Sequence, residues 1–355
     1  MIGNLKKYID KASFMEHIDA KLRQNEPMII DSFVSNKCNL KCRHCYFGDA
    51  RPISESVSLA RWSFLDEAIG MGMKHFHLSG KESFLDNRIF DILNLLAEYK
   101  EDRKIFYGVV SNGMSMDIQG YDEVLATNIS YLEISLEGSG KYNDLIRGEN
   151  GYNTVYELIE NVEHRDKINI TSTIFDDNGA DLLSMLLAYW KLGVDKFNFA
   201  PIMYYSPFEM KPLKSLSCES LLGFVSLCLD FMNNDNSPDA IDIRICMTKA
   251  MAYELFLKEN ILTGKIEEYI YRGNKMKYQR GNKVLEFSYP LLSIPFLNEL
   301  VVTHDGYIIS CADDIHYKYL DKIALPNVNI VKNSFAEILQ ARNEFILCYL
   351  DKELS

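Results

Sequence analysis

The sequence predicts an α/β fold: a partial, TIM-like (βα)6 barrel followed by a smaller α+β region. Six short β-branched or aromatic segments recur between residues 28 and 202, each separated from the next by a stretch long enough for a crossover helix. The alternation breaks after about residue 205. At 355 residues, with 47% hydrophobic side chains and nine prolines, the chain has the length and composition for a packed core.

The elements follow in order. Residues 1–27, "MIGNLKKYIDKASFMEHIDAKLRQNEP", are charged and helix-like and form an N-terminal helical extension. They lack the apolar core of a signal peptide and are too few for an independent recognition domain. "MIIDSFVS" (28–35) reads as the first strand, and the helix after it carries Trp62, Leu65 and Ile69 on one face. "KHFHLSG" (74–80) is the second strand, and the next helix repeats the periodicity at Ile89, Ile92, Leu93 and Leu96. "KIFYGVVSNG" (104–113), "YLEISLEG" (131–138), "INITSTIF" (168–175) and "DKFNFAPI" (195–202) complete a barrel spanning residues 28–205. In such a barrel the chemistry sits at the C-terminal strand ends. Residues 206–355 form the second region: a helix over 215–234, a polar and irregular stretch to about 290, and a hairpin in "LNELVVTHDGYIISCADD" with "HDG" as its turn. With no low-complexity linker, this region is expected to pack on the barrel.

The net charge of −12 argues against a nucleic-acid surface, which needs clustered Lys and Arg, and suits a basic peptide partner better. No run approaches the roughly 20 apolar residues that span a bilayer. The expectation is a cytoplasmic protein with neither a nucleic-acid nor a membrane partner. In a reducing compartment its eight cysteines are not a disulfide framework, so a tight cluster of them points to metal or redox chemistry.

That cluster is "NKCNLKCRHCYF": Cys38, Cys42 and Cys45, spaced Cys-x-x-x-Cys-x-x-Cys on the loop after the first strand. Four thiolates close a structural zinc site, whereas an iron–sulfur cubane held by three leaves one iron open to a ligand. A zinc site would need His44 or a distant fourth ligand, and adjacent His44 and Cys45 have difficulty reaching one tetrahedral ion.

The spacing resembles the radical S-adenosylmethionine (SAM) superfamily. The resemblance implies that Cys38, Cys42 and Cys45 hold a [4Fe-4S] cluster whose open iron is chelated by SAM. One electron, from a donor such as flavodoxin or ferredoxin, then yields a 5′-deoxyadenosyl radical. His44 fills the place of an aromatic residue before the third cysteine. "HLSGKES" stands where the family has Gly-Gly-Glu, keeping Gly80 and Glu82 for the methionine amino group while Lys81 replaces a glycine. "SNG" (Ser111, Asn112, Gly113) and "ISLEG…NDLIRG" resemble the strand ends that receive the ribose and the methionine carboxylate, with Ser135 and Arg147 as contacts.

Residues 206–355 resemble the domain that follows the barrel in the SPASM and twitch subfamilies, whose members mostly modify peptides. "GYIISC" (Gly306 to Cys311) reproduces a Gly-x-x-x-x-Cys hairpin, and "NVNIVKNSFAEILQARNEF" resembles the segment after it. Most of the expected cysteines are missing, so an auxiliary cluster would need Cys246, Cys311, Cys348 and a further ligand to converge. Cys311 can alternatively be a hydrogen donor to a substrate radical, or a buried remnant. Cys218 and Cys228 fall in a helical apolar pattern and read as core. Tyr204 and Tyr205 can face ligand or core.

The leading functional expectation is a radical SAM enzyme that abstracts a hydrogen atom in modifying a ribosomally made peptide. The alternatives are a radical SAM dehydrogenase or epimerase acting on a small molecule such as an aminosugar, and a non-catalytic iron–sulfur or zinc-binding protein.

Overall fold

The computed structural model describes residues 9–24, 28–45, 47, 51–202, 216–234, 239–247, 275–288, 294–311 and 324–355. Tyr204 and Tyr205 lie outside them. The six expected strands are β1 (Ile29–Ser35), β2 (His75–Gly80), β3 (Phe106–Ser111), β4 (Tyr131–Ser135), β5 (Ile168–Ile174) and β6 (Lys196–Pro201). They pair in parallel in sequence order. The crossovers are α2 (Glu55–Gly70), α3 (Arg88–Arg103), α4 (Ile118–Ala126), α5 (Gly140–Arg147) with α6 (Gly151–Asn161), and α7 (Gly179–Lys191). This is a partial (βα)6 barrel, preceded by α1 (Lys11–Gln24), whose Phe14, Ile18 and Leu22 are buried.

The later residues extend the same sheet on both edges. Beyond β6 come β7 (Ala240–Cys246), then β9 (Asn282–Ser288), then β8 (Lys275–Arg280). Beyond β1 come β10 (Glu299–Val302), β11 (Tyr307–Ile309) and β12 (Ala324–Asn329). β10 runs parallel to β1, with Ile29 opposite Glu299 and Ser32 opposite Val302. α8 (Cys218–Asn233) and α9 (Phe335–Leu354) complete the α-helices among the described residues. α9 opens with a capping box in which Ser334 and Glu337 satisfy each other's backbone donors. The stretch read as irregular therefore holds β7, β8 and β9. Ile241, Ile243 and Ile245 alternate in "AIDIRIC", and Gly281 takes a φ of +60° in the turn between β8 and β9.

Alternation explains where the core sits. Side chains on successive strand positions face opposite ways. Ile30, Leu78, Val109, Leu132, Ile134, Ile170 and Phe199 are buried with helical Leu65, Ile69, Leu96, Val124, Leu158 and Leu186 in one hydrophobic core. Trp62 departs from the expected α2 face: it is 43% exposed, while Arg61, Phe64, Leu65, Ala68 and Ile69 are buried. The opposite strand positions are polar, among them Asp31, His77, Ser79, Glu133, Ser135 and Thr171, and they line a cavity. Among the described residues no helix is long and apolar enough to cross a membrane.

Candidate active site

A cavity of about 330 Å³ lies at the C-terminal strand ends, and the cysteine loop forms part of its wall. Cys38, Cys42, Cys45 and His44 all line it, as do Gly80, Ser111, Asn112, Ser135 and Arg147. Cys38 is exposed and the other two thiols are partly buried. Burial pushes the Cys42 thiol up to about 11, against the pull of nearby Arg147. Backbone bonds fix the loop locally: Leu40 N–H donates to Cys38 Sγ at 3.3 Å, Arg43 N–H to the Ile146 carbonyl at 2.8 Å, and Cys45 N–H to the Cys42 carbonyl at 3.2 Å.

Gly80 is required by close approach. Its φ is +122°, and a Cβ there would sit 2.7 Å from the Ser35 carbonyl oxygen. The Lys81 N–H donates to that same oxygen at 3.1 Å, and the Glu82 N–H to the Lys37 carbonyl at 2.8 Å. The end of β2 is thus stitched to the stem of the cysteine loop.

Several of the expected cofactor contacts, Glu82, Ser111, Asn112 and Arg147 among them, make protein contacts of their own. Glu82 is fully buried and is absent from the cavity lining. Its carboxylate accepts Ser111 Oγ–H (2.8 Å), Ser115 Oγ–H (2.8 Å) and the Asn112 N–H (2.7 Å), so it organises the "SNG" turn. Burial raises its pKa although these donors pull it down. Asn112 reaches outward: its Nδ2–H₂ donates to Asn39 Oδ1 at 2.7 Å and lies 3.9 Å from Cys38 Sγ, tying the turn to the cysteine loop. Arg147 donates from Nη2 (2.7 Å) and Nε (3.1 Å) to Glu137 Oε1.

Glu137 stands inside the quoted "ISLEG" without an assigned role. It is fully buried, lines the cavity, and accepts the Thr173 N–H at 2.6 Å. His44 Nε2 lies 3.0 Å from its Oε1. Burial alone would raise its pKa, but His44 and Arg147 hold it below the usual carboxylate range. Glu137 therefore joins α5, the cysteine loop and β5.

Below this rim the cavity has a polar floor that the sequence reading missed. Ser79 Oγ–H donates to Asp31 Oδ1 at 2.6 Å, the Tyr131 hydroxyl lies 2.6 Å from His77 Nδ1, and Asn198 Nδ2–H₂ donates to Glu133 Oε2 at 3.1 Å. Gly108, opposite both His77 and Tyr131, makes room: a Cβ there would lie 2.4 Å from the Tyr131 ring. The available signal was polar residues at every second position of otherwise apolar strands.

Cys311 follows β11 and is absent from the cavity lining, so the structure does not bring it to the site. Nor does it bring Cys246, Cys311 and Cys348 together. Cys246 ends β7, with seven strands between β7 and β11, and Cys348 is an exposed residue of α9. Cys228 is buried and Cys218 packs against the core.

The model of the radical SAM superfamily matches residues 32–186. The chain is 28% identical over 184 residues to pre-heme d1 synthase of Dinoroseobacter shibae, which covers 50% of this chain and 44% of that protein. It is 23% identical over 150 residues to the sporulation killing factor maturation protein SkfB of Bacillus subtilis, covering 41% and 36%. The chain thus spans about half the length, or less, of these relatives. Streptococcus suis SuiB, solved bound to S-adenosylmethionine, shares the fold with a TM-score of 0.65 and 14% identity, over 91% of this chain and 68% of that one. SuiB has also been solved bound to its precursor peptide SuiA.

Proposed function

Because residues 32–186 are a radical SAM domain, we propose that this chain is a peptide-modifying radical SAM enzyme with Cys38, Cys42 and Cys45 as its cluster ligands. The observation that carries the reading is that three thiols on the β1 loop line one cavity with the strand ends of β2–β5. The donor set fits a [4Fe-4S] cluster. Three thiols lining one cavity are the donor type and number that leave one iron of such a cluster open. The nearby Asn112 amide and Leu40 N–H add donors of the kind that set a cluster's potential.

When bound, the cluster supplies the electron for reductive cleavage of SAM, and the hydrogen abstraction that follows is cofactor chemistry. The protein's own part is orientation. Glu137 holds Arg147 and His44 at one wall, Glu82 holds the Ser111–Asn112 turn at another, and Gly80 lets backbone close the third. Ser135 offers a hydroxyl inside the cavity. The floor of Asp31, His77 and Glu133 is available to the substrate side of the reaction.

A peptide substrate is supported by the likeness to SkfB, a maturation protein, and by the fold shared with SuiB, which takes a precursor peptide. A second reading, a haem-precursor substrate, is favoured by the longer match to pre-heme d1 synthase. The test is anaerobic reconstitution followed by incubation with SAM and dithionite. Formation of 5′-deoxyadenosine with about four irons and four sulfides per chain is expected of a [4Fe-4S] enzyme, and its absence from a fully loaded protein would sink the reading. Mass spectrometry with precursor peptides encoded beside the gene, against tetrapyrrole precursors, then separates the two substrates.

A further inference from the structure

The turn between β10 and β11 is Thr303–His304–Asp305–Gly306, closed by the Gly306 N–H donating to the Thr303 carbonyl at 3.1 Å. A turn residue is ordinarily solvated. His304 is fully buried. Its Nε2 lies 2.8 Å from the Ser35 carbonyl oxygen, and since a carbonyl only accepts, Nε2 carries the proton and donates. Ser35 is the last residue of β1 and the stem of the cysteine loop.

The same turn reaches the far side of that loop. Asp305 Oδ2 pairs with Arg51 Nη1 at 2.7 Å, and Thr303 Oγ1–H donates to Asp305 Oδ1 at 2.7 Å, which orients the carboxylate. Between the two feet, Phe47 packs edge-on to Phe33 with ring centroids 4.9 Å apart and edge-on to the His304 ring at 5.7 Å. On the opposite side of the turn, Arg61 Nη2 on α2 donates to the Thr303 carbonyl at 2.9 Å. Both ends of the segment that presents the three cysteines are thus held from one hairpin turn.

We propose that the β10–β11 turn is a clamp that seats the cysteine loop, with His304 as its positioning residue. The proposal rests on the reading of Cys38, Cys42 and Cys45 as cluster ligands. It gives the C-terminal region a structural share in the site without a ligand of its own: the hairpin ending near Cys311 fixes where the thiols of another segment stand. Desolvation keeps the imidazole neutral, with its pKa lowered to about 4, so the Nε2–H tautomer persists at neutral pH.

The test compares wild type with His304→Phe, which keeps an aromatic ring beside Phe33 and Phe47 but has no N–H, and with His304→Gln, whose amide can still donate to Ser35. Hydrogen exchange is read on the cluster-free chain over residues 36–45, and the electron paramagnetic resonance spectrum of the reduced cluster is read after reconstitution. One lost buried hydrogen bond corresponds to about tenfold faster local exchange. That is expected in His304→Phe, with unchanged exchange in α3 and α7, an altered reduced-cluster spectrum and faster loss of iron in air. His304→Gln is expected to restore much of each. If the Phe ring prevents folding, His304→Leu makes the same comparison with a smaller apolar side chain. Wild-type exchange and a wild-type spectrum in the Phe or Leu variant would overturn the clamp. A wild-type chain that assembles no cluster would sink the ligand reading instead, and the exchange comparison still judges the clamp.

Discussion

Arg147 and Glu137 form a buried ion pair ten residues apart, with Nη2 2.7 Å from Oε1 and side chains 12% and 1% exposed. Removing Glu137 leaves Arg147 as a buried charge without its carboxylate, at a cost of roughly 3 to 5 kcal/mol, whereas removing Arg147 leaves Glu137 with His44 and the Thr173 N–H and costs less; replacing both by neutral groups costs less than the sum. Glu137→Gln is expected to lower stability on this scale in urea unfolding, Arg147→Met by less, and the double variant to lose less than the two together. Because Glu137 titrates below its usual range, this contribution is present at neutral pH and is lost as pH falls below about 4.5 and through its folded pKa. Additive losses in the double variant would show that the two residues act separately.

The triple substitution of Cys38, Cys42 and Cys45 to Ala is expected to abolish iron and sulfide uptake on anaerobic reconstitution. Cluster content equal to wild type would remove the three residues as ligands. Since the Cys42 thiol is pushed up to about 11, coordination must displace its proton. Reconstitution is therefore expected to accelerate from pH 7 to pH 9, by up to about tenfold per unit if thiolate formation limits it. A rate independent of pH would show that another step limits loading.

His304 gives a second, separable pH signature. Its pKa falls from 6.5 to about 4 on folding, so the unfolded chain binds the proton first as pH drops. Its contribution is complete above pH 6.5 and declines between 6.5 and 4, by about 3 kcal/mol at the full shift. Comparing unfolding of wild type and His304→Gln across that range isolates it: the difference is expected to shrink as pH falls, and a constant difference would refute the assignment.

Gly80→Ala is expected to destabilise by roughly 1 to 3 kcal/mol, because a side chain at φ +122° is strained and its Cβ meets backbone, which cannot swing aside. Gly70, in open surroundings on α2, is the control, and Ala there is expected to be neutral or slightly stabilising. Equal effects at the two positions would show that the contact with Ser35 carries no energy.

The six barrel strands were legible because each is a short apolar run whose neighbours switch to helical periodicity. The cysteine loop was legible because its spacing alone limits the chemistry. Strands β7–β9 were missed although Ile241, Ile243 and Ile245 alternate plainly, since polar residues on the other face masked the pattern. Trp62 was misplaced because a helical stripe can be drawn through it as well as through Arg61, and only packing decides which is buried. Within the site, residue types were readable but partners were not. Glu82, Asn112 and Arg147 all stand at the rim or just behind it, yet their hydrogen bonds run to Ser111, Asn39 and Glu137, choices made by three-dimensional neighbours. His304 read as punctuation because a sequence shows the turn and not what the turn is pressed against.

β1 pairs with β10, and His304 meets a partner 269 positions earlier in the chain. Translation runs from the N-terminus, so the ribosome finishes the three thiols long before it makes the turn that seats them. Contacts of such long range also form slowly once the whole chain is available. On the clamp proposal, the seat of the cysteine segment is made 269 positions after the segment's stem at Ser35, so the order of strands along the chain constrains when the site can form.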